Sequence, residues 1–198
     1  APKPSCPLKN YDQKYFAPFW ISKGHYWMTK ILAWENGELK EFNKLEVHER
    51  GLRHPAISVF LFCKDEILLQ RRALGKYHTA GLWANSCCSH PNPGENTKSC
   101  SERRLNEELG ITGIKVEFHK TIEYKADVGN NLIENEVVDV FFGFIEEKNA
   151  LEMNPDPMEV MDVKWTDIKA LEGNISLHSE RYTPWLKIYV RDYAILKV

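Results

Sequence analysis

Several features that would place a chain in a membrane, on nucleic acid or in a secreted class are missing from this sequence. No apolar run in its 198 residues approaches the roughly 18 residues of a membrane span. The start, with Pro2, Pro4 and Pro7, lacks the apolar segment that is typical of a signal peptide. The formal net charge is only −2, which predicts neither bulk nucleic-acid binding nor adsorption to an anionic membrane. Any anionic ligand must therefore be held by a local basic cluster.

Cysteine is present, but not in a pattern that is typical of a disulfide framework. There are five cysteines, an odd number, and Cys87 and Cys88 are adjacent. The chain is also large enough to build a core without covalent cross-links. We therefore expect a reducing compartment and a cytoplasmic location. A zinc knuckle is discounted, because the sequence has no C-x₂-C pair.

The order of strand and helix signals predicts an α+β domain, an αβα sandwich built on a mixed sheet. Asn36-Gly37 is a strong hairpin signal between strands at residues 26–34 and 39–45. Further strands are expected over residues 56–63, 67–70, 115–124, 133–145 and 160–165. Helices are expected from a cap at Asn96 or Thr97 to Leu109, over residues 168–171, and from Pro184 onward. We assign residues 1–40 to an N-terminal arm and hairpin, and residues 41–198 to one main domain.

Histidine and carboxylate residues form a possible metal site. If residues 88–90 are extended, Cys88 and His90 point the same way. Glu134 and Glu136 share one face of a strand, and like charges so placed favour a cation or a proton between them. With His48 and His54 they offer a complete ligand set for Zn²⁺ or Mn²⁺. The alternative is that each histidine is an ordinary surface or hydrogen-bonded residue, and that the two glutamates form a solvated strand face.

Two further charged sets suggest a diphosphate and its counter-ion. Arginine forks and lysine ammonium groups suit phosphate oxygens, and the candidate cations are Lys44, Arg71, Arg72, Lys76, Arg103 and Arg104. The acidic set is Glu95, Glu107 and Glu108, which could hold Mg²⁺. The alternatives are a solvated basic loop and a helix surface on which the acids pair with Arg103 and Arg104.

The segment from Ser89 to Ile111 resembles the Nudix signature, G-x₅-E-x₇-R-E-U-x-E-E-x-G-U, where U is apolar. Two positions depart from it. Ser89 occupies the first glycine position, and Arg104 stands where Nudix hydrolases carry a metal-binding glutamate. The resemblance implies a Nudix-like fold, whereas the replacement of that glutamate by a cation argues against diphosphate hydrolysis.

The departures and the other motifs together resemble the type I isopentenyl-diphosphate isomerases, over roughly residues 40–190. The segments that carry the resemblance are Arg71–Leu74, Asn85–Pro91, Arg103–Gly110, Glu134–Glu136, Asn154–Glu159 and Thr183–Trp185. By position, it implies Cys88, Glu136 and Tyr124 as catalytic groups and Glu108 as a ligand of Mg²⁺ with the diphosphate. The second metal site falls on His48, His54, His90, Glu134 and Glu136. The substrate-binding set falls on Lys44, Arg72, Lys76, Arg104 and Trp185.

The implied reaction converts isopentenyl diphosphate to dimethylallyl diphosphate, a step of isoprenoid biosynthesis. It needs Mg²⁺ with the diphosphate and one divalent ion (Zn²⁺, Mn²⁺ or Mg²⁺) at the His/Glu site. The expected partner is a small prenyl diphosphate, with no nucleic acid or membrane, and the expected state is a monomer or weak homodimer. Two alternatives remain open at this point. One is a Nudix hydrolase of a nucleoside diphosphate derivative, and the other is a catalytically silent protein that only binds prenyl diphosphates or a protein partner.

Overall fold

The computed structural model describes residues 29–197, so the first 28 residues of the expected N-terminal arm and hairpin lie outside the described part. Nine strands are found there: β1 (Lys30–Glu35), β2 (Glu38–Asn43), β3 (His54–Cys63), β4 (Glu66–Arg72), β5 (Trp83–Ala84), β6 (Cys87–Ser89), β7 (Val116–Asp127), β8 (Ile133–Phe144) and β9 (Val160–Asp167). The four α-helices are α1 (Lys44–Arg50), α2 (Thr97–Leu109), α3 (Ile168–Leu177) and α4 (Pro184–Arg191). Short 3₁₀ turns cover Lys148–Ala150 and Ser179–Arg181.

Seven of these strands form one mixed sheet. Its central path runs β5-β4-β3-β8-β7, and β6 pairs with β3 while β9 pairs with β4. The β3–β8 pair is parallel and every other pair in this sheet is antiparallel. β3 is buried along nearly its whole length, which agrees with its continuous apolar sequence. The sheet therefore has β3 and β8 as its centre.

Helices cover both faces of the sheet. On one face, Phe60 and Val140 pack with side chains of α3 and α4 such as Leu171 and Tyr189. On the other face, Val59, Leu61 and Phe141 pack with Leu105 and Leu109 of α2. Alternate residues of β3 thus enter opposite cores, as the period of a strand requires. This arrangement confirms the predicted αβα sandwich.

The N-terminal hairpin forms around the predicted turn. Asn36 and Gly37 both have positive φ, 54° and 83°, as the two central residues of a type I′ turn need. β1 pairs with β2 in a separate two-stranded sheet, and Ile31 and Ala33 pack on Val47 of α1. The hairpin therefore has a small core of its own. The domain division at residue 40 stays a prediction, and β2 continues past it to Asn43.

The predicted strand over residues 39–45 is wrong at its end, because a helix begins there. α1 runs from Lys44 to Arg50, and the next residue, Gly51, caps it with a left-handed φ of 60° that lets its N–H reach the carbonyls of the last turn. Val47 and His48 of this helix are buried. Seven residues are too few for a clear helical period, so the sequence did not reveal it. α3 is also longer than expected and runs to Leu177.

Candidate active site

The register of the central strands brings the candidate residues together at one end of the sheet. His54 lies opposite Glu136 in the parallel pair β3–β8. Tyr124 of β7 lies opposite Glu136 from the other side, and Ser58 of β3 lies opposite Cys88 of β6. Side chains at alternate positions of a strand share a face, so these groups project from the face that α3 and α4 cover.

Four side chains form a buried cluster that could hold a metal ion. One ligand atom from each of His48, His54, His90 and Glu134 lies within 4.8 Å of all the others. Glu136 is adjacent, with its Oε1 3.2 Å from His90 Nε2 and 3.6 Å from His54 Nε2. Three imidazoles and one or two carboxylates are a common donor set for a divalent transition metal.

The hydrogen bonds around the cluster leave its inner atoms for a cation. His48 Nδ1 is 2.6 Å from Lys44 O, and His54 Nδ1 is 2.7 Å from Leu52 O. A backbone carbonyl at Nδ1 requires the proton there, so both Nε2 atoms keep a lone pair. Those Nε2 atoms and Glu134 Oε2 are buried without a hydrogen-bond partner. Unpaired buried polar atoms are costly, so the residues present fit a divalent cation.

Cys88 lies beside the cluster in a ring of three hydrogen bonds. Its Sγ donates to Asn85 Oδ1 at 3.1 Å, and Asn85 Nδ2 donates to Ser58 Oγ at 2.9 Å. Ser58 Oγ lies 3.3 Å from the sulfur, which closes the ring. Burial raises the pKa of the Cys88 thiol to about 12, against the opposing effect of Ser58. Cys87 points into the opposite core, as the alternation of a strand predicts.

Glu136 is a buried acid with a phenol at one oxygen. Tyr124 Oη donates to Glu136 Oε2 at 2.6 Å. Burial, and then the negative charge of Glu134, raise the pKa of Glu136 above its usual range. This side chain therefore retains a proton more readily than an exposed carboxyl group does. Cys88 and Glu136 line the same pocket and are its two candidate proton carriers.

Four cationic side chains line the same pocket, those of Lys44, Arg72, Lys76 and Arg104. Burial, and then the charges of Lys76 and Arg104, lower the pKa of Lys44 to about 8. The counter-ion is Glu159, which pairs with Lys76 and has its Oε1 3.6 Å from Arg104 Nη2. So dense a group of cations is suited to a doubly or triply charged anion such as a diphosphate.

Glu108 and Trp185 line the same pocket. Glu108 accepts from Arg104 Nη2 at 2.6 Å and from Gln70 Nε2 at 3.0 Å. Trp185 is 3% exposed, and the guanidinium of Arg72 lies 5.2 Å from the centre of its ring. The indole thus presents an aromatic surface beside the cationic end of the pocket.

The structure separates some residues that the sequence grouped together. Arg71 donates to the carbonyl of Gly81. Arg103 pairs with Glu95 and Glu107, as the helix-surface alternative predicted. These four side chains are absent from the pocket that Cys88 and Glu136 line.

Sequence reasoning also missed two residues of the site. Glu159 lay within a quoted motif without a role. His78 lies in an irregular loop, where no periodicity could indicate it, yet it lines the pocket and is 3.2 Å from Glu134.

Comparison with known proteins assigns the chain to a family. The family model of the NUDIX domain matches residues 52–186. A protein of Cereibacter sphaeroides (strain KD131 / KCTC 12085) named isopentenyl-diphosphate Delta-isomerase is 53% identical over 167 residues, 84% of this chain and 93% of that protein. The chain belongs to the isopentenyl-diphosphate Delta-isomerase family of NUDIX-domain proteins. The expectation of an enzyme is thereby confirmed.

Other members of the isopentenyl-diphosphate Delta-isomerase family are equally similar. The proteins so named from Ruegeria pomeroyi and Rhodobacter capsulatus are 51% and 52% identical and cover 83% and 82% of this chain, and 90% and 92% of their own lengths.

Solved structures confirm the fold. The crystal structure of DR0079 from Deinococcus radiodurans has a TM-score of 0.64 at 15% identity and covers 82% of this chain and 97% of that one. A MutT protein from Methanosarcina mazei has a TM-score of 0.50 at 20% identity and covers 61% and 81%. Over residues 29–197, no helix is long and apolar enough to cross a membrane.

Proposed function

We propose that this enzyme interconverts isopentenyl diphosphate and dimethylallyl diphosphate. The observation that carries the proposal is one pocket lined by two proton carriers, Cys88 and Glu136, an aromatic ring and four cations. An allylic isomerisation needs one group that donates a proton and another that removes one. The names of relatives about 52% identical support the same substrate pair. The enzyme would then act in isoprenoid biosynthesis, and a cytoplasmic location stays our prediction.

In the proposed mechanism Glu136 and Cys88 hold one transferable proton between them, so that one is protonated while the other is not. Glu136, hydrogen-bonded to Tyr124, donates a proton to C4 of isopentenyl diphosphate, and the C3–C4 π electrons form the new C–H bond. This leaves a tertiary carbocation at C3. The Cys88 thiolate then removes a proton from C2, and those electrons form the C2–C3 double bond. In the reverse direction Cys88 donates to C2 and Glu136 removes a proton from C4.

The resting state of Cys88 bears on this assignment. Because burial favours the thiol in the free protein, the forward direction requires the Cys88 proton to pass to Glu136 in the substrate complex. That transfer forms the thiolate and the protonated carboxyl group together. Ser58, within 3.3 Å of the sulfur, is placed to donate to it. The reverse assignment, in which Cys88 donates at C4, remains the alternative that the sequence left open.

The surroundings of the pocket suit a cationic intermediate. Water would capture a carbocation, so the site must exclude it. Trp185, Tyr124 and Cys88 line the pocket and also pack in or against the core that α4 helps to build. The face of a tryptophan attracts a positive charge by about 0.5–2 kcal/mol, so we assign Trp185 to the hydrocarbon end.

Lys44, Arg72, Lys76 and Arg104 are assigned to the diphosphate, and Glu108 to the Mg²⁺ that accompanies it. Arg104 is a cation at the position of a hydrolytic metal ligand in the Nudix signature, which suits a site that holds a diphosphate without cleaving it. His48, His54, His90, Glu134 and Glu136 are assigned to the second metal, which when bound supplies a fixed positive charge beside Glu136.

Incubation with isopentenyl diphosphate and Mg²⁺ in D₂O tests the proposal. Because the proton added at C4 comes from a group that exchanges with solvent, we expect deuterium in a methyl group of dimethylallyl diphosphate. NMR and mass spectrometry of the product measure it, and a phosphate assay on the same samples monitors hydrolysis. Phosphate release without rearrangement would contradict the isomerase and favour a Nudix hydrolase, and the absence of both reactions would favour the catalytically silent protein.

A further inference from the structure

His78 occupies the inner wall of the pocket, although it belongs to the irregular loop between β4 and β5. It is 4% exposed. Its ring meets Trp185 edge-on, with centroids 6.0 Å apart, and lies 5.9 Å from the ring of His48. Its carbonyl oxygen accepts from Arg72 Nη2 at 3.2 Å. His78 therefore lies next to one residue from each of three proposed sets: His48 of the metal site, Trp185 of the hydrocarbon end and Arg72 of the diphosphate end.

Glu134 divides its two oxygens between His78 and the histidine cluster. Oε1 lies 3.2 Å from His78 Nε2. Oε2 lies 3.2 Å from His48 Nε2 and 3.6 Å from His54 Nε2, and it is buried without a hydrogen-bond partner. The outer oxygen is thus within hydrogen-bond distance of His78, while the inner oxygen faces the place where the ligand atoms converge.

The neighbours of His78 favour the tautomer with its proton on Nε2. Glu134 Oε1 lies 3.2 Å from Nε2, and a carboxylate can only accept a hydrogen bond. Thr79 Oγ1 lies 3.0 Å from Nδ1, and its hydroxyl can donate to that nitrogen. The backbone at Thr79 has a φ of +47°, which is rare for a β-branched residue.

We propose that His78 is a positioning residue for the metal site, which itself rests on the proposed function. Its Nε2–H would hold Oε1 of Glu134 and so leave Oε2 available to a bound ion, while the Thr79 hydroxyl can donate to Nδ1 of the same ring. Groups that hydrogen-bond a ligand from outside the coordination sphere typically change metal affinity by about 10–100-fold when they are removed. The bond from Arg72 to the carbonyl of His78 connects this support to the diphosphate end.

Two substitutions at position 78 separate the hydrogen bond from the packing of the ring. His78→Phe retains a flat ring but has no donor, whereas His78→Gln places an amide N–H near the position of Nε2. Metal-free protein is titrated with Mn²⁺ without substrate, and the EPR signal of free Mn²⁺ gives the dissociation constant. We expect His78→Phe to bind Mn²⁺ about 10–100-fold more weakly than wild type and His78→Gln to remain near wild type. At saturating Mn²⁺ the turnover of His78→Phe should recover, which damage to the fold would not allow.

His178→Phe is the matched control, because this histidine is 45% exposed and pairs with Glu180 away from the pocket. It should leave the dissociation constant unchanged. Equal affinity of His78→Phe and wild type overturns the proposal, and so does an equal loss in His78→Gln, because that variant keeps the amide donor. If the wild-type protein binds no Mn²⁺, the proposal of a metal site is itself wrong. The deuterium experiment tests the isomerase activity separately.

Discussion

At the scale of single residues, adjacent side chains of the same type lie in different environments in this site. Cys87 and Cys88 are adjacent, yet one is enclosed in an apolar core and the other lines the pocket. Arg103 and Arg104 are adjacent too, and Arg103 pairs with Glu95 while Arg104 faces Lys44 and Glu159. A strand or helix separates neighbouring side chains by direction, so identity of residue type does not imply identity of role.

Replacement of Cys88 tests the residue assigned to proton transfer. Cys88→Ala removes the sulfur but none of the metal ligands, so we expect turnover to fall by about 10²–10⁴-fold, the usual contribution of a proton-transfer group. Metal content, measured by elemental analysis, should not change. Cys63→Ala is the control, since Cys63 is another free thiol but is buried at the far end of β3. Wild-type turnover in Cys88→Ala would remove the role given to this thiol.

At the scale of elements, α2 connects the pocket with the loop that follows residue 153. Asn96 caps its start by accepting from Ser99 N at 2.8 Å, and Gly110 ends it with a φ of 67°. Past the helix, Asn154 N donates to Leu109 O at 2.8 Å. A Cβ on Gly110 would lie 2.7 Å from Asn154 N. The end of the helix and the loop that leads to Glu159 are therefore in close contact.

Two glycines have the same backbone conformation, so substitution of each by alanine distinguishes the effect of backbone strain from that of steric contact. Gly110 and Gly113 have φ values of 67° and 73°, but nothing lies within 4 Å of a Cβ on Gly113. We expect Gly113→Ala to lower the free energy of unfolding by about 1–2 kcal/mol through the left-handed backbone alone. Gly110→Ala should cost a further ~1–3 kcal/mol because its methyl group overpacks the loop. Urea denaturation measures both, and equal losses would show that the contact with Asn154 does not matter.

Most elements could be predicted because their signals are local. The Asn36-Gly37 turn, the caps of α2 and Pro184 at the start of α4 all lie where the sequence placed them. The pairing of Arg104 with Glu108 follows from helical spacing. α1 was missed, because a helix of seven residues, about two turns, is too short to show a period, and the hydrophobic residues that it packs against belong to the hairpin.

At the scale of the whole molecule, the metal cluster links separate parts of the chain. His48 belongs to α1, His54 begins β3, His90 follows β6, and Glu134 lies in β8. Their inner atoms are buried without hydrogen-bond partners, and unsatisfied buried polar groups destabilise a fold. A bound ion would therefore stabilise the native state as well as serve the site.

Removal of metal should lower the thermal stability of the protein. A ligand at 100 times its dissociation constant adds about 2.7 kcal/mol to the free energy of unfolding, which for a chain of this size raises Tm by roughly 5–10 °C. We expect that difference between Mn²⁺-loaded and chelator-treated protein in differential scanning calorimetry. His48→Ala is the control, since it lacks one ligand and should show a smaller shift. Identical melting curves with and without metal would contradict the metal site.

The sequence by itself determined the local geometry of this protein. The two-residue period of a strand placed Glu134 beside Glu136, and a helical turn placed Arg104 near Glu108. Only the tertiary structure decided that His54 lies opposite Glu136, that Glu159 neutralises Lys76, and that His78 reaches Glu134. The physical reason is range. Spacing rules act over about four residues, whereas strand register and loop conformation depend on side chains that are far apart in the chain.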